Sequence, residues 1–286
     1  MGVTTPPRYC AASWRPYDQC VPQMQIRGFD LDYDIAPGGA GVPLVWGHGL
    51  TSSRGISAAY PLVDLRPALA DRPVIRYDAR GHGLSSMIDD PASGSWAELA
   101  RDQIALIDAL DLDRVVVGGV SMGAGTALHA ALSLGDRLDR MVLVIPPTGW
   151  ESRMSQVDIY EQSAKAVETR GTETLIAAAK MLPPPDPFVG STDWADRRAG
   201  SLGPADPVRL AGCFRGAAHA DLPSLDELAT INTPTLVLAW SGDPGHPVST
   251  AEILGKTLPN VTVSIASTRP EFDTWTDQVQ EFLQQG

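Results

Sequence analysis

At 286 residues, 43% of them hydrophobic, the chain is long enough to enclose the core of one large domain. Its formal net charge of −12 disfavours nucleic acid and anionic membrane surfaces as partners, and reads instead as a solvated surface. It contains no apolar run of the roughly eighteen residues that a membrane span needs.

The N-terminal stretch Met1–Gln19 carries Pro, Arg, Tyr and Trp and lacks the apolar core of a secretory signal, which points to a cytoplasmic protein. Residues 1–24 show no apolar period and read as an irregular extension. Cys10, Cys20 and Cys213 fit reduced thiols in that compartment. Cys10 and Cys20 are free to pair, but nothing local demands it. None of the cysteines has ligand spacing with a histidine, so no metal site is expected.

From Ile26 to Ile35, the residues Phe29, Leu31, Tyr33 and Ile35 alternate with polar ones, which predicts a strand at a sheet edge. A turn cluster over Pro37–Gly41 precedes a short strand, Val42–Trp46, which runs into Gly47-His48-Gly49-Leu50. Pro73–Tyr77 is the next strand, and Trp96–Leu110 has apolar residues close to helical spacing. The β-branched run in Arg114–Val120 predicts a strand covered on both faces. An Ala-rich helix, Met122–Leu134, and a strand, Met141–Ile145, follow. Strands alternating with helices imply a mostly parallel, doubly wound sheet of the α/β class.

The alternation then stops. Pro146 to about Asn232 holds no apolar strand run, and Ser155–Lys180 looks like one or two helices before Pro183-Pro184-Pro185. It resumes with a strand at Thr235–Trp240, a helix at Ser249–Leu258, a strand at Val261–Ala266 and a final helix over Glu271–Leu283, with Phe272, Trp275, Val279, Phe282 and Leu283 on one stripe. The organisation expected is therefore a core built from 25–146 and 233–286, with a helical lid over 147–232 between the sixth and seventh strands.

Gly119-Val120-Ser121-Met122-Gly123 has the pattern G-x-S-x-G. The pattern carries meaning only between a buried strand and a helix. There a serine on a tight, strained turn projects its hydroxyl from the sheet edge, and flanking glycines leave room for the neighbouring chain. Both flanking elements are predicted. On these residues, together with His48-Gly49-Leu50 and Tyr77-Asp78-Ala79-Arg80-Gly81-His82-Gly83, the chain resembles the α/β-hydrolase fold superfamily, of the small bacterial esterase, lactonase and carbon–carbon-hydrolase type. The resemblance runs from Ile26 to Leu283. It implies Ser121 as nucleophile, the backbone N–H groups of Leu50 and Met122 as the oxyanion hole, and structural roles for Asp78, Arg80 and His82.

The family's acid follows the seventh strand, which here leads to Ser241-Gly242-Asp243-Pro244, so Asp243 is the acid candidate. The family's histidine follows the eighth strand, and Ala266–Asp273 contains none. Of the five histidines, His246 in Gly245-His246-Pro247 reads as a loop anchor, His82 and His129 as structural, and His48 as an oxyanion-loop residue within reach of substrate. His219, late in the lid, is left as the surrogate base. Trp150 and Trp240, with His48 and Gly49, are candidate pocket residues.

The reading is a serine-hydrolase-type enzyme acting through Ser121 on a small carboxylic ester or lactone with an incomplete triad. Its substrate is a small molecule, and a homodimer is compatible with it. Two alternatives stay open: a lyase or cyclase on the same scaffold, and a ligand-binding protein that has lost hydrolysis. Serine at the elbow disfavours dehalogenase and epoxide hydrolase chemistry, which build an ester on a carboxylate nucleophile. No G-x-G-x-x-G or phosphate-binding loop is present, and no cofactor is expected.

Overall fold

The computed structural model describes residues 22–192, 194–202 and 206–285. The N-terminal extension as far as residue 21, with Cys10 and Cys20, lies outside them. Among the described residues the chain builds one eight-stranded sheet in the order β1-β2-β4-β3-β5-β6-β7-β8. The strands are β1 (Gln23–Ile26), β2 (Phe29–Ala36), β3 (Leu44–Gly47), β4 (Val74–Tyr77), β5 (Val115–Val120), β6 (Leu138–Val144), β7 (Thr235–Trp240) and β8 (Val261–Ala266). From β4 through β8 every neighbouring pair is parallel, whereas β1–β2 and β2–β4 are antiparallel.

The edge strand predicted over Ile26–Ile35 is in fact a hairpin. Arg27 and Gly28 both adopt positive φ, 47° and 85°, and form the two-residue connection between β1 and β2. A turn with two left-handed residues matches the twist of the paired strands. Its usual marks are Asn-Gly or Asp-Gly, so Arg-Gly inside an alternating run passed for strand.

Helices cover both faces of the sheet. On one side α2 (Trp96–Ala109), α3 (Met122–Leu134) and α9 (Val248–Thr257) bury Leu106, Leu128 and Leu254 against Val45, Val117 and Val237. On the other, α10 (Arg269–Asp273) and α11 (Trp275–Gln284) bury Phe272, Trp275 and Val279 against Val116, Val142 and Leu238. Burial on both faces explains why β5 and β7 read as continuous apolar runs rather than alternating ones. The short helix α1 (Arg54–Ala59) follows the His48-Gly49 turn.

The predicted single terminal helix is divided. The Thr268–Glu271 capping box starts α10, and Thr274 Oγ donates back to the carbonyl of Glu271 at 2.7 Å where α10 gives way to α11. A threonine bonding to an upstream carbonyl competes with the helical ladder and bends it.

Between β6 and β7 the chain forms five α-helices among the described residues: α4 (Met154–Arg170), α5 (Glu173–Met181), α6 (Trp194–Leu202), α7 (Pro207–Ala218) and α8 (Leu225–Leu228). Helices α4 and α7 share a small apolar core of Ala164, Val167, Leu210, Ala211 and Phe214. No helix among the described residues is long and apolar enough to cross a membrane.

Candidate active site

Ser121 stands between the end of β5 and the first residue of α3, with φ 52° and ψ −109°. A non-glycine residue reaches this region only under constraint from its surroundings. The constraint here is close contact with β3. A Cβ on Gly119 would lie 2.6 Å from the Gly47 carbonyl oxygen, and one on Gly123 would lie 2.4 Å from the same atom. The two glycines of the motif thus let the turn press against the neighbouring strand. Three backbone bonds hold the turn: Ser121 N–H donates to Val144 O at 2.9 Å, and Ala124 and Gly125 donate to Ser121 O.

The oxyanion-loop segment lies against the turn. A Cβ on Gly49 would stand 3.7 Å from Ser121 Cβ. His48 is buried, packs edge-on against the His82 ring at 4.9 Å and hydrogen-bonds only to backbone. Ala79 N–H donates to its Nε2 at 3.0 Å, so its proton is on Nδ1, which donates to Gly49 O at 2.8 Å. Burial, helped by the charge of Arg54, pushes the His48 pKa down to about 4, and the ring stays neutral. The Gly49 carbonyl also accepts from Ser52 N–H at 3.1 Å. In a trans peptide the N–H opposes the C=O, so the Leu50 N–H points away from these two donors. No hydrogen bond among the described residues uses the Leu50 or Met122 N–H.

Behind this loop, the buried Asp78 accepts from Arg54 N–H at 2.8 Å and Leu84 N–H at 3.1 Å, tying the β4 loop to α1. Arg80 pairs with Asp102 on α2. Both roles are structural.

Asp243 lies on the loop after β7. Its Oδ1 accepts from Gly245 N–H at 2.9 Å. Its Oδ2 accepts from the Trp240 indole at 3.0 Å and faces His246 Nδ1 at 2.8 Å. Burial works to raise its pKa, but the facing imidazole and the hydrogen bonds from His246, Gly245 and Trp240 outweigh it and hold the carboxyl well below the usual range. The other ring nitrogen, His246 Nε2, lies 2.8 Å from Ser121 Oγ. Ser121, His246 and Asp243 therefore form one unbroken hydrogen-bonded run.

This corrects the expectation that no histidine faces Ser121 and the acid candidate. The histidine is displaced from the β8 loop to the β7 loop, three residues after the acid. The position of His246 in Gly245-His246-Pro247 reads as a loop anchor in the sequence, because the family pattern places its histidine after β8 and nothing local marks the reach to Ser121. The place after β8 is filled by Ser267 and Glu271: Ser267 Oγ accepts from Ser241 Oγ at 3.1 Å, and Glu271 caps the Ser267 and Thr268 N–H groups.

The structure does not join His219 to Ser121. That histidine is exposed at the C-terminal end of α7, where its own N–H bonds to Arg215 O and Gly216 O. The pocket roles assigned to three residues also change. His48 is 2% exposed and spends both ring nitrogens on backbone. Trp150 anchors to the segment before α8, its indole donating to Pro223 O at 2.8 Å and its N–H to Asp221 at 2.9 Å. Trp240 is buried beneath the acid rather than exposed to a cavity. A cavity of about 300 Å³, lined by Trp46, Leu62, Arg76, Val120 and their neighbours, holds none of the three site residues.

The sequence profile of the alpha/beta hydrolase family matches residues 37–276. Two 3-oxoadipate enol-lactonases of Acinetobacter baylyi resemble the chain. Lactonase 1 is 29% identical over 188 residues, 63% of this chain and 65% of that protein, just under two thirds of the relative's length. Lactonase 2 is 26% identical over 193 residues, 67% of this chain and 69% of that protein. A hydrolase from Pseudomonas aeruginosa has the same fold, with a TM-score of 0.78 at 24% identity, covering 93% of this chain and 98% of that one.

Proposed function

Since the chain belongs to the alpha/beta hydrolase family, we propose that it hydrolyses small carboxylic esters or lactones through Ser121. The observation that carries this reading is the run Ser121 Oγ–His246 Nε2–Asp243, with 2.8 Å at each of its two links. The readings of a lyase, a cyclase or an inert binding protein drew on the lack of a base, and His246 supplies one.

The chemistry follows from the protons. Asp243 accepts the Nδ1 proton of His246, which leaves Nε2 able to take the proton of the Ser121 hydroxyl. The Ser121 oxygen attacks the ester carbonyl, and the N–H groups of Leu50 and Met122 face the oxygen that becomes negative. His246 then gives its proton to the departing alkoxide, which leaves an acyl group on Ser121. A water molecule, deprotonated by His246, releases the acid and restores the hydroxyl. In a lactone the alkoxide stays tethered and the product is one hydroxy acid. The names of the two lactonase relatives support including lactones in the substrate class.

The helical segment 147–232 serves in this reading as the lid over the site. Thr148, at its start, donates its N–H to Gly245 O at 3.3 Å, and Asp186 donates its N–H to Ser241 O at 2.9 Å. It therefore touches the loop that carries both acid and base.

The test is treatment of the protein with a fluorophosphonate probe, alongside turnover of p-nitrophenyl acetate and a γ-lactone. Labelling of Ser121, lost in Ser121→Ala together with turnover, is the result expected. No labelling, next to a competent control hydrolase, overturns the proposal.

A further inference from the structure

We propose that Trp240 is a positioning residue for the catalytic acid, its indole N–H fixing the Asp243 carboxylate in the orientation that meets His246. This rests on the Ser121–His246–Asp243 reading above.

Acid and base sit on one four-residue stretch, with Gly242 at φ 80° before it and Gly245 inside it. When the histidine comes from a different loop, two separate backbones define the pair. Here the two side chains share one glycine-bearing loop, so the carboxylate plane has to be set from outside it. Oδ2 receives two donors, His246 Nδ1 at 2.8 Å and Trp240 Nε1 at 3.0 Å, while Oδ1 receives Gly245 N–H at 2.9 Å. Of these, Trp240 alone belongs to the sheet. It is the last residue of β7 and is held in register opposite Ala266 of β8.

The indole has little freedom to turn. It is 3% exposed, stacks on Trp275 at 5.9 Å, and meets the edges of Trp194 at 5.8 Å and Phe188 at 5.9 Å. Such ring contacts prefer defined offsets and angles. The cluster is not arranged to satisfy indole N–H groups in general. Those of Trp194 and Trp275 are buried with no hydrogen-bond partner among the described residues, and only that of Trp240 is spent, on the acid.

A donor on Oδ2 locks the carboxylate. Removing it therefore lowers kcat by misplacing the acid.

The experiment compares Trp240→Phe with Trp275→Phe in p-nitrophenyl acetate hydrolysis. The expected result for Trp240→Phe is a kcat lower by roughly 10- to 100-fold, the cost of a small misplacement, with KM within about twofold. Trp275→Phe removes an equally buried indole from the same cluster and leaves kcat in place. Wild-type kcat in Trp240→Phe overturns the proposal, as do equal losses in both variants, which would report packing alone. Indole ¹H–¹⁵N spectra give a second reading that needs no Trp240 variant. The Trp240 resonance moves on Asp243→Asn while those of Trp194 and Trp275 stay; an unmoved Trp240 resonance also overturns the proposal. If wild-type Ser121 takes no fluorophosphonate, the hydrolase reading fails first, and the spectra still report on the indole contact.

Discussion

Asp243 and His246 lie three residues apart on the loop after β7, and their side chains meet at 2.8 Å with the far ring nitrogen turned to Ser121. A base located this way makes a sharp prediction. His246→Ala lowers kcat by about 10⁴-fold, the usual cost of losing the histidine of such a run. His219→Ala leaves kcat unchanged, since His219 is exposed at the end of α7. Steady-state kinetics of the two variants decide the matter: comparable activity in His246→Ala and wild type would sink the assignment.

The displaced histidine also shows where the sequence was legible. The elbow could be read because its requirements are local: a β-branched strand, two glycines in contact with β3, and an Ala-rich helix all lie within one stretch of chain. Asp243 could be read because β7 is a fully buried apolar run that ends next to it. His246 was written in the sequence and misread, because a partner is chosen by distance to Ser121 and not by strand order. Its reach of 125 positions to Ser121 exists only once β5 and β7 flank β6 in the sheet. The Arg27-Gly28 hairpin was hidden for a different reason, that positive φ at an arginine has no compositional mark. The role of Trp240 needed the direction of one N–H, which no sequence pattern carries.

Stability should fall with pH in a window set by buried histidines. Burial pushes His48 down to about 4 and His82, with His48 nearby, to about 3, and it lowers His129 as well. Each is held neutral in the fold but takes a proton near pH 6.5 when the chain unfolds. Above 6.5 the effect is absent. As pH falls below it, the unfolded state gains protons that the folded state refuses, and stability drops by about 1.4 kcal/mol per unit for each histidine until the folded pKa is reached. Asp243, whose pKa is depressed instead, contributes stability above its unfolded value of 3.8 and loses it only at lower pH, outside this window. Urea unfolding between pH 6 and 4 should show a slope of at least two protons, and His82→Asn should reduce it by about one. A flat profile would contradict the burial of these rings.

Ser121 should be a position where activity and stability oppose each other. Its φ of 52° with ψ of −109° is a conformation that costs a side-chain-bearing residue about 1–3 kcal/mol. Ser121→Gly removes that strain at a chain-entropy cost of up to ~1 kcal/mol, whereas Ser121→Ala keeps the strain. Both are inactive. The glycine variant is expected to be the more stable by about 1 kcal/mol in urea titration. An alanine variant as stable as the glycine one would show that the elbow stores no strain.

Arg153 is the charge on which the base of the helical segment depends. It is 3% exposed and lies 4.2 Å above the Trp96 ring. Its Nε donates to Ala220 O at 2.7 Å, its Nη2 to Ala217 O, and its Nη1 to Thr148 Oγ at 3.3 Å. No carboxylate partners it among the described residues. The carbonyls at the end of α7, the negative pole of that helix, stand in for one. Arg153→Met fills the space but leaves the Ala220 carbonyl without a donor, at about 1–3 kcal/mol, while Ala217 O keeps the Ala220 N–H at 3.1 Å. Arg153→Lys keeps the charge but replaces a planar five-donor fork with one ammonium that cannot span the same acceptors. Urea unfolding should therefore rank wild type above Lys above Met, with Met down by about 1–3 kcal/mol. Because Thr148 also donates to Gly245 on the loop of Asp243 and His246, the Met variant should lose kcat as well, and a Met variant as stable and active as wild type would remove Arg153 from this role.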